Sequence, residues 1–193
     1  MRMVLSAAAA AVAASAMLAS AGAVADTYLF DKAHTRILFF VNHLGFSDMP
    51  GQFHEFDGGF TFDPDDPESA TVNVVIQTAS VDMDHDGLNE HLRTDDFFDV
   101  ANHPTMTFRS TDVEVTGENT GLITGELTLL GVTRPVVMDV TFNKAGEHPV
   151  NDNFVAGFSG TASLSRSDFG MTYLVPAIGD TVDIRLSVEG IRQ

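Results

Sequence analysis

The sequence predicts an all-β, antiparallel domain interrupted by one short helical stretch. Three observations carry that prediction. Apolar and polar residues alternate with period two along most of the chain, as they do when successive side chains point to opposite faces of a sheet. Gly, Pro, Asn and Asp punctuate the alternating runs at short intervals. Helix-like spacing of apolar residues occurs in one place, residues 86–100.

In chain order, the first expected strand is 35–43 (TRILFFVNH), apolar on both faces from Ile37 to Val41. A Pro50-Gly51 turn leads into the second, 53–62, which holds Phe53, Phe56, Phe60 and Phe62. Gly58-Gly59 within it suit a bend or bulge, as a sheet needs when it curls. The loop 63–68 (DPDDPE) then breaks the chain, and Val72, Val74 and Ile76 alternate with polar Thr71, Asn73 and Gln77 in the third strand. Five more, at 106–116, 122–130, 134–143, 154–164 and 181–190, bring the count to eight. Connections are mostly short, so neighbours in sequence are expected to pair. Between the third and fourth strands, Leu88, Leu92 and Phe97-Phe98 predict one or two short helices, stopped before His103-Pro104. Such a chain makes a sandwich or a closed barrel. Only the barrel abolishes edge strands and leaves room for one small ligand.

Residues 1–25 read differently. Arg2 is the sole charge before Asp26, an alanine-rich run follows, and small residues lead to Ala23-Val24-Ala25. This is the pattern of a cleavable signal peptide, with cleavage between Ala25 and Asp26 and residues 26–193 left as one domain. The run falls short of the roughly 20 strongly apolar residues of a membrane span, so no stable membrane insertion is expected and the predicted location is the periplasm. There is no cysteine, which excludes a disulfide framework and a lipid-modified cysteine. Losing Arg2 takes the formal charge from −17 to −18. A surface of that sign repels nucleic acid and anionic head groups.

Candidate chemistry is sparse. Fifteen phenylalanines without a tryptophan favour an apolar interior, though the count is silent on whether it is filled or hollow. Asp82, Asp84, Asp86 and Gly87 have the spacing of a calcium loop, but Arg93 stands where its bidentate Glu belongs. The acidic residues are expected instead to form a turn and cap the helix N-terminus. Histidines 34, 43, 54, 85, 91, 103 and 148 show no metal-ligand spacing, so no metal site is expected. His34 and His43 would fall on opposite faces of a regular strand. Gly157-Phe158-Ser159-Gly160 is not a nucleophile elbow. The residues favour a binding protein over an enzyme, with no catalytic residue and no required cofactor.

Several motifs, in order, resemble the YceI-like family of exported bacterial proteins. They are Asp31-Lys32-Ala33-His34-Thr35; Phe39, Val41 and His43 with Gly51 and Phe53; Ser80-Val81-Asp82; and the stretch 91–100 (HLRTDDFFDV) followed by Pro104, Phe108 and Ser110. The stretch 125–136 (GELTLLGVTRPV), Arg166 to Gly170 and Gly179 to Val182 complete the series. Leu88-Asn89 and Thr94 depart from the Arg-Asp and Ser frequent in the family. Read from residues alone, 130–135 (LGVTRP) is a hairpin with a glycine turn.

The resemblance implies an eight-stranded antiparallel lipocalin-like barrel with a short helical insertion between strands 3 and 4. It also implies a hollow apolar interior holding a polyisoprenoid lipid. The lining candidates are Phe39, Val41, Phe53, Phe62, Phe98, Phe108, Leu127, Phe142, Phe158 and Phe169. The charge favours an isoprenoid quinone or another neutral head group over a phosphorylated one, unless Arg93, Arg109 or Arg166 builds a basic cleft. Phe97-Phe98 are expected to cover one barrel end. The expected partner is a small-molecule lipid exchanged transiently with membranes by a monomer or homodimer. An enzyme acting on an apolar substrate would need His34 or His91 paired with an Asp inside the cavity. A filled barrel would instead be a ligand-free interaction module.

Overall fold

The computed structural model describes residues 25–193, so the expected signal segment lies outside the described residues apart from Ala25. The strands are β1 (Asp26–Phe30), β2 (Arg36–His43), β3 (Ser47–Phe53), β4 (Phe56–Phe62), β5 (Thr71–Gln77) and β6 (Val81–Asp82). After the helix α1 (Asp86–Leu92) come β7 (Thr105–Val115), β8 (Thr120–Leu129), β9 (Val132–Glu147), β10 (Phe154–Ser165) and β11 (Ile178–Arg192). All pairings are antiparallel. β4, β5 and β7 to β11 follow one another around the sheet, and β1 joins β4 to β11 to close a ring of eight.

Eleven strands make eight staves because three staves are bent. One edge of β11 pairs with β2 from Ile178 to Ser187 and with β1 from Gly190 to Arg192. β1 and β2 are therefore two halves of one stave, interrupted at residues 31–35. β3 and β4 are halves of the next, broken at residues 54–55, and β5 and β6 are separated by the 3₁₀ turn Thr78–Ser80. The expected barrel and its count of eight stand. β1 is an addition, since only Tyr28 of its five residues is buried and so short a run shows little alternation.

The second expected strand is corrected in two places. Pro50 and Gly51 form no turn; they lie within β3, opposite Phe40 and Phe39. The turn is Leu44–Phe46, where Leu44 and Gly45 have φ of 55° and 78°. Proline is tolerated because the far edge of β3 pairs only at Gln52 and Phe53, so the missing N–H falls on a strand with a largely unpaired edge. Gly58-Gly59 produce no bulge, since the β4 register runs unbroken across both on the β5 side and reaches Gly59 on the β1 side. They permit close approach: a Cβ at either would collide with the carbonyl of Asn73 or Tyr28. The glycine turn of 130–135 is present, with Leu130 and Gly131 (φ 51° and 73°) joining Leu129 to Val132.

The helical stretch is shorter than predicted. α1 stops at Leu92, and turns carry the chain onward. His85, not an acidic residue, caps it: Leu88 N donates to His85 Nδ1 at 3.3 Å. Leu88 is exposed, and Asn89 occupies the inward position. It accepts from Met83 N at 2.8 Å and donates to Asp82 Oδ1 at 2.7 Å. Leu92, Phe97 and Phe98 pack down on the core at this end.

Candidate functional site

The barrel interior is hollow. Inward residues of every stave line a cavity of about 460 Å³, within the ~300–1,000 Å³ usual for small-molecule sites. Period-two alternation puts Phe39 and Val41 of β2, Phe53 of β3, Phe62 of β4, Phe108 of β7 and Leu127 of β8 on its wall. Phe142 of β9 and Phe158 of β10 complete a cluster with Phe62, their ring centroids 5.1–5.4 Å apart. Tilted and edge-on packing of this kind lets rings cohere without stacking face to face. Glycines across the sheet leave room for two rings. Phe39 lies over Gly51 and Phe108 over Gly125, where a Cβ would strike the ring.

One end of the cavity is closed. Phe98 stands edge-on to Phe53 at 5.4 Å and 87°, and Phe97, Phe98 and Met171 are buried there. Beneath them Arg166 holds the connection from β10 to β11. Its Nε donates to Gly179 O at 2.9 Å, Nη1 to Met171 O at 3.0 Å, and Nη2 to Tyr173 O and Ile178 O at 2.8 and 3.1 Å. Burial pulls its pKa below the usual guanidinium value, with the Asp180 charge opposing. At the other end the lining reaches exposed residues of the β4–β5 loop and the β7–β8 hairpin, among them Pro64, Val115 and Glu118.

Of the ten predicted lining residues, nine border the cavity. Phe169 does not. It is buried in the 3₁₀ turn Arg166–Phe169, and the left-handed Gly170 (φ 88°) that follows presents Met171 to the cavity in its place. The sequence reading missed Phe30, Phe56, Phe60, Met138 and Leu186, all in the lining. Parity was the available signal, since Phe56 and Phe60 share a face with Phe62, and Met138 with Phe142.

No histidine borders the cavity among the described residues. His34 sits in the turn before β2 and not on a strand, which removes the premise that it opposes His43. Its Nδ1 lies 2.8 Å from Asp31 Oδ2. That bond lowers the Asp31 pKa and raises that of His34. Asp31, His34 and Glu189 place one ligand-type atom each within 4.8 Å of one another, but Asp31 is engaged by His34 and by Ala33 N at 2.9 Å as part of the turn. His91 pairs with Asp96 at 2.8 Å on the outer side of the closed end. Arg93 donates to Ala79 O and Val81 O, and Arg109 is exposed on β7. Neither borders the cavity.

A closed eight-stranded antiparallel barrel around a deep apolar cavity defines the class. The YceI-like domain model matches residues 28–190, and the chain belongs to that family. It is 45% identical over 173 residues to a UPF0312 protein of Ectopseudomonas mendocina, covering 89% of this chain and 90% of that one. The fold is similar to that of Burkholderia cenocepacia BcnA, with a TM-score of 0.76 at 24% identity over 83% of this chain and 98% of that one. It is also similar to a polyisoprenoid binding domain from Saccharophagus degradans, with a TM-score of 0.66 at 16% identity over 87% and 99%.

Proposed function

We propose that this protein is a periplasmic carrier or reservoir for a long-chain isoprenoid lipid, with an isoprenoid quinone as the favoured ligand and no chemistry of its own. The apolar cavity of about 460 Å³ is the observation that carries the reading. Each CH₂ equivalent moved from water into it gains about 0.8 kcal/mol, so a few isoprene units offset the cost of ordering the chain. Similarity of fold to the polyisoprenoid binding domain supports a prenyl tail. The commitment of Arg166 to four carbonyls and the outward placement of Arg93 and Arg109 support a neutral head group, because the inner wall offers no free cation to a phosphate among the described residues. The His34–Asp31 and His91–Asp96 pairs lie outside the cavity lining, which favours a carrier over an enzyme. No helix among the described residues is long and apolar enough to cross a membrane, in keeping with lipid exchange by a monomer or homodimer that visits membranes transiently.

Solvent extraction of the protein purified from its native host, followed by mass spectrometry, tests the reading. The expected result is an unaltered neutral prenyl lipid near one per barrel. Recovery of no lipid, together with no saturable uptake of quinones or fatty amides, overturns it. A chemically altered ligand would move the assignment to the enzyme.

A further inference from the structure

The hydrogen-bond ladder of the barrel wall has a gap, covered by the 3₁₀ segment Pro67–Ser69. β5 and β7 run as a ladder from Gln77–Thr105 to Asn73–Arg109 and stop there. One step further a side chain replaces the backbone partner, with Val72 N donating to Ser110 Oγ at 2.8 Å. β7 bulges at once, between Ser110 and Asp112, and continues in register with β8. Before β5 the chain turns through the 3₁₀ segment Pro67–Ser69. The two sides meet again at the rim, where Val115 N donates to Glu68 Oε1 at 3.4 Å. Between these two bonds lies a window whose edges, Pro67, Ala70, Val113 and Val115, also line the cavity. Val115 is 43% exposed while bordering the interior. The window therefore adjoins the exposed end of the cavity.

We propose that this window is the portal through which lipid loads and leaves, tail first, with the head group coming to rest against residues 63–70 and 113–121. The proposal rests on the carrier reading. Polarity along the cavity sets the direction. The inner wall is aliphatic and aromatic, and its buried polar groups are spoken for: Thr35 Oγ1 is bonded to Glu189 O and N at 3.1 Å, and Arg166 to its four carbonyls. A head group led in first would lose water without gaining a partner. The rim instead supplies Asn119, Thr120 and peptide groups. Opening the window breaks two side-chain hydrogen bonds and lifts the 3₁₀ segment Pro67–Ser69 off β7, against which it packs, but breaks no ladder pair, so exchange proceeds without unraveling the barrel.

The absence of cysteine from the sequence makes the test direct. Ala70→Cys and Val115→Cys, each modified with a bulky maleimide, are compared with Phe46→Cys modified alike. Phe46 is exposed on the β2–β3 hairpin at the closed end. Stopped-flow uptake and release of a fluorescent prenyl alcohol is the readout. Adducts at the window slow both rates about tenfold or more, and the Phe46 adduct leaves them unchanged. Glu68→Ala raises both rates with Kd nearly constant, whereas Glu68→Gln, which keeps an acceptor, does not. Unchanged rates with the window adducts, or slowing by the Phe46 adduct, overturn the portal alone. Failure of the unmodified variants and the parent to take up any lipid saturably overturns the carrier reading, and the portal with it.

Discussion

Asp82 ties three segments together. Oδ2 meets His54 Nε2 at 2.9 Å, while Oδ1 accepts from Asn89 Nδ2 at 2.7 Å and from Asp84 N at 2.9 Å. The His54 bond, then the Asn89 and Asp84 bonds, lower its pKa to about 2. A carboxylate whose pKa falls on folding adds stability above its unfolded pKa of ~3.9 and loses it as pH drops through the folded value. Asp82→Asn should therefore flatten the fall in urea midpoint between about pH 4 and pH 2. An unchanged slope would deny the hub its role. Arg166 makes a complementary case. In Arg166→Met, four carbonyls at the closed end lose their donor, with an expected cost of about 3 kcal/mol or more in urea unfolding. Arg166→Lys should recover little, because an ammonium cannot reproduce the planar fork. Neither role was legible beforehand. The acidic residues at 82–87 were expected to form a turn and cap the helix, and only the turn, Asp84 N to Asp82, is present; Arg166 stood only as one of three arginines able to build a basic cleft. The other partners of both are set by loops whose paths no periodicity encodes.

At the scale of elements, alternation was readable wherever a strand had one face in the cavity and the other in water. The strands from β7 to β11 were placed on that basis, with ends shifted by a few residues. It failed where staves bend. Proline inside β3 read as a turn because its tolerance depends on how little of β6 pairs beside it. The helical insertion was seen but misoriented: Asn89, not Leu88, points inward, since the Asp82 carboxylate waits there. Phe97 and Phe98 were expected to cover a barrel end, and they are buried at one. Phe98→Ala removes the ring standing on Phe53 and should cost about 3 kcal/mol in chemical denaturation, toward the low end for Phe→Ala because the existing cavity adjoins it. If the portal lies at the other end, lipid exchange rates in this variant stay within a few-fold of the parent. A large acceleration would make the insertion a working lid.

Charge belongs to the molecule as a whole. The phenylalanine count could not distinguish a filled barrel from a hollow one, since that depends on how closely eight staves approach, and rings laid over Gly51 and Gly125 help keep the space open. The charge, by contrast, was fully legible, and the fold concentrates part of it where it matters. Residues 63–70 and 113–121 flank the window with Asp63, Asp65, Asp66, Glu68, Glu114 and Glu118, and include no Lys, Arg or His. An anionic lipid approaching this rim meets like charge both locally and from the net −17 of the whole sequence. The screening length is ~10 Å at 0.1 M salt and ~3 Å at 1 M, so the repulsion should be strong in dilute buffer and mostly gone in concentrated salt. A prenyl diphosphate should therefore load roughly tenfold or more slowly than the prenyl alcohol of equal length at low ionic strength. The gap should narrow as salt rises, while the alcohol's rate stays nearly flat. Stopped-flow loading of both lipids across a salt series measures this. Equal rates at low salt would remove the electrostatic argument for a neutral head group and return the phosphorylated carriers to consideration.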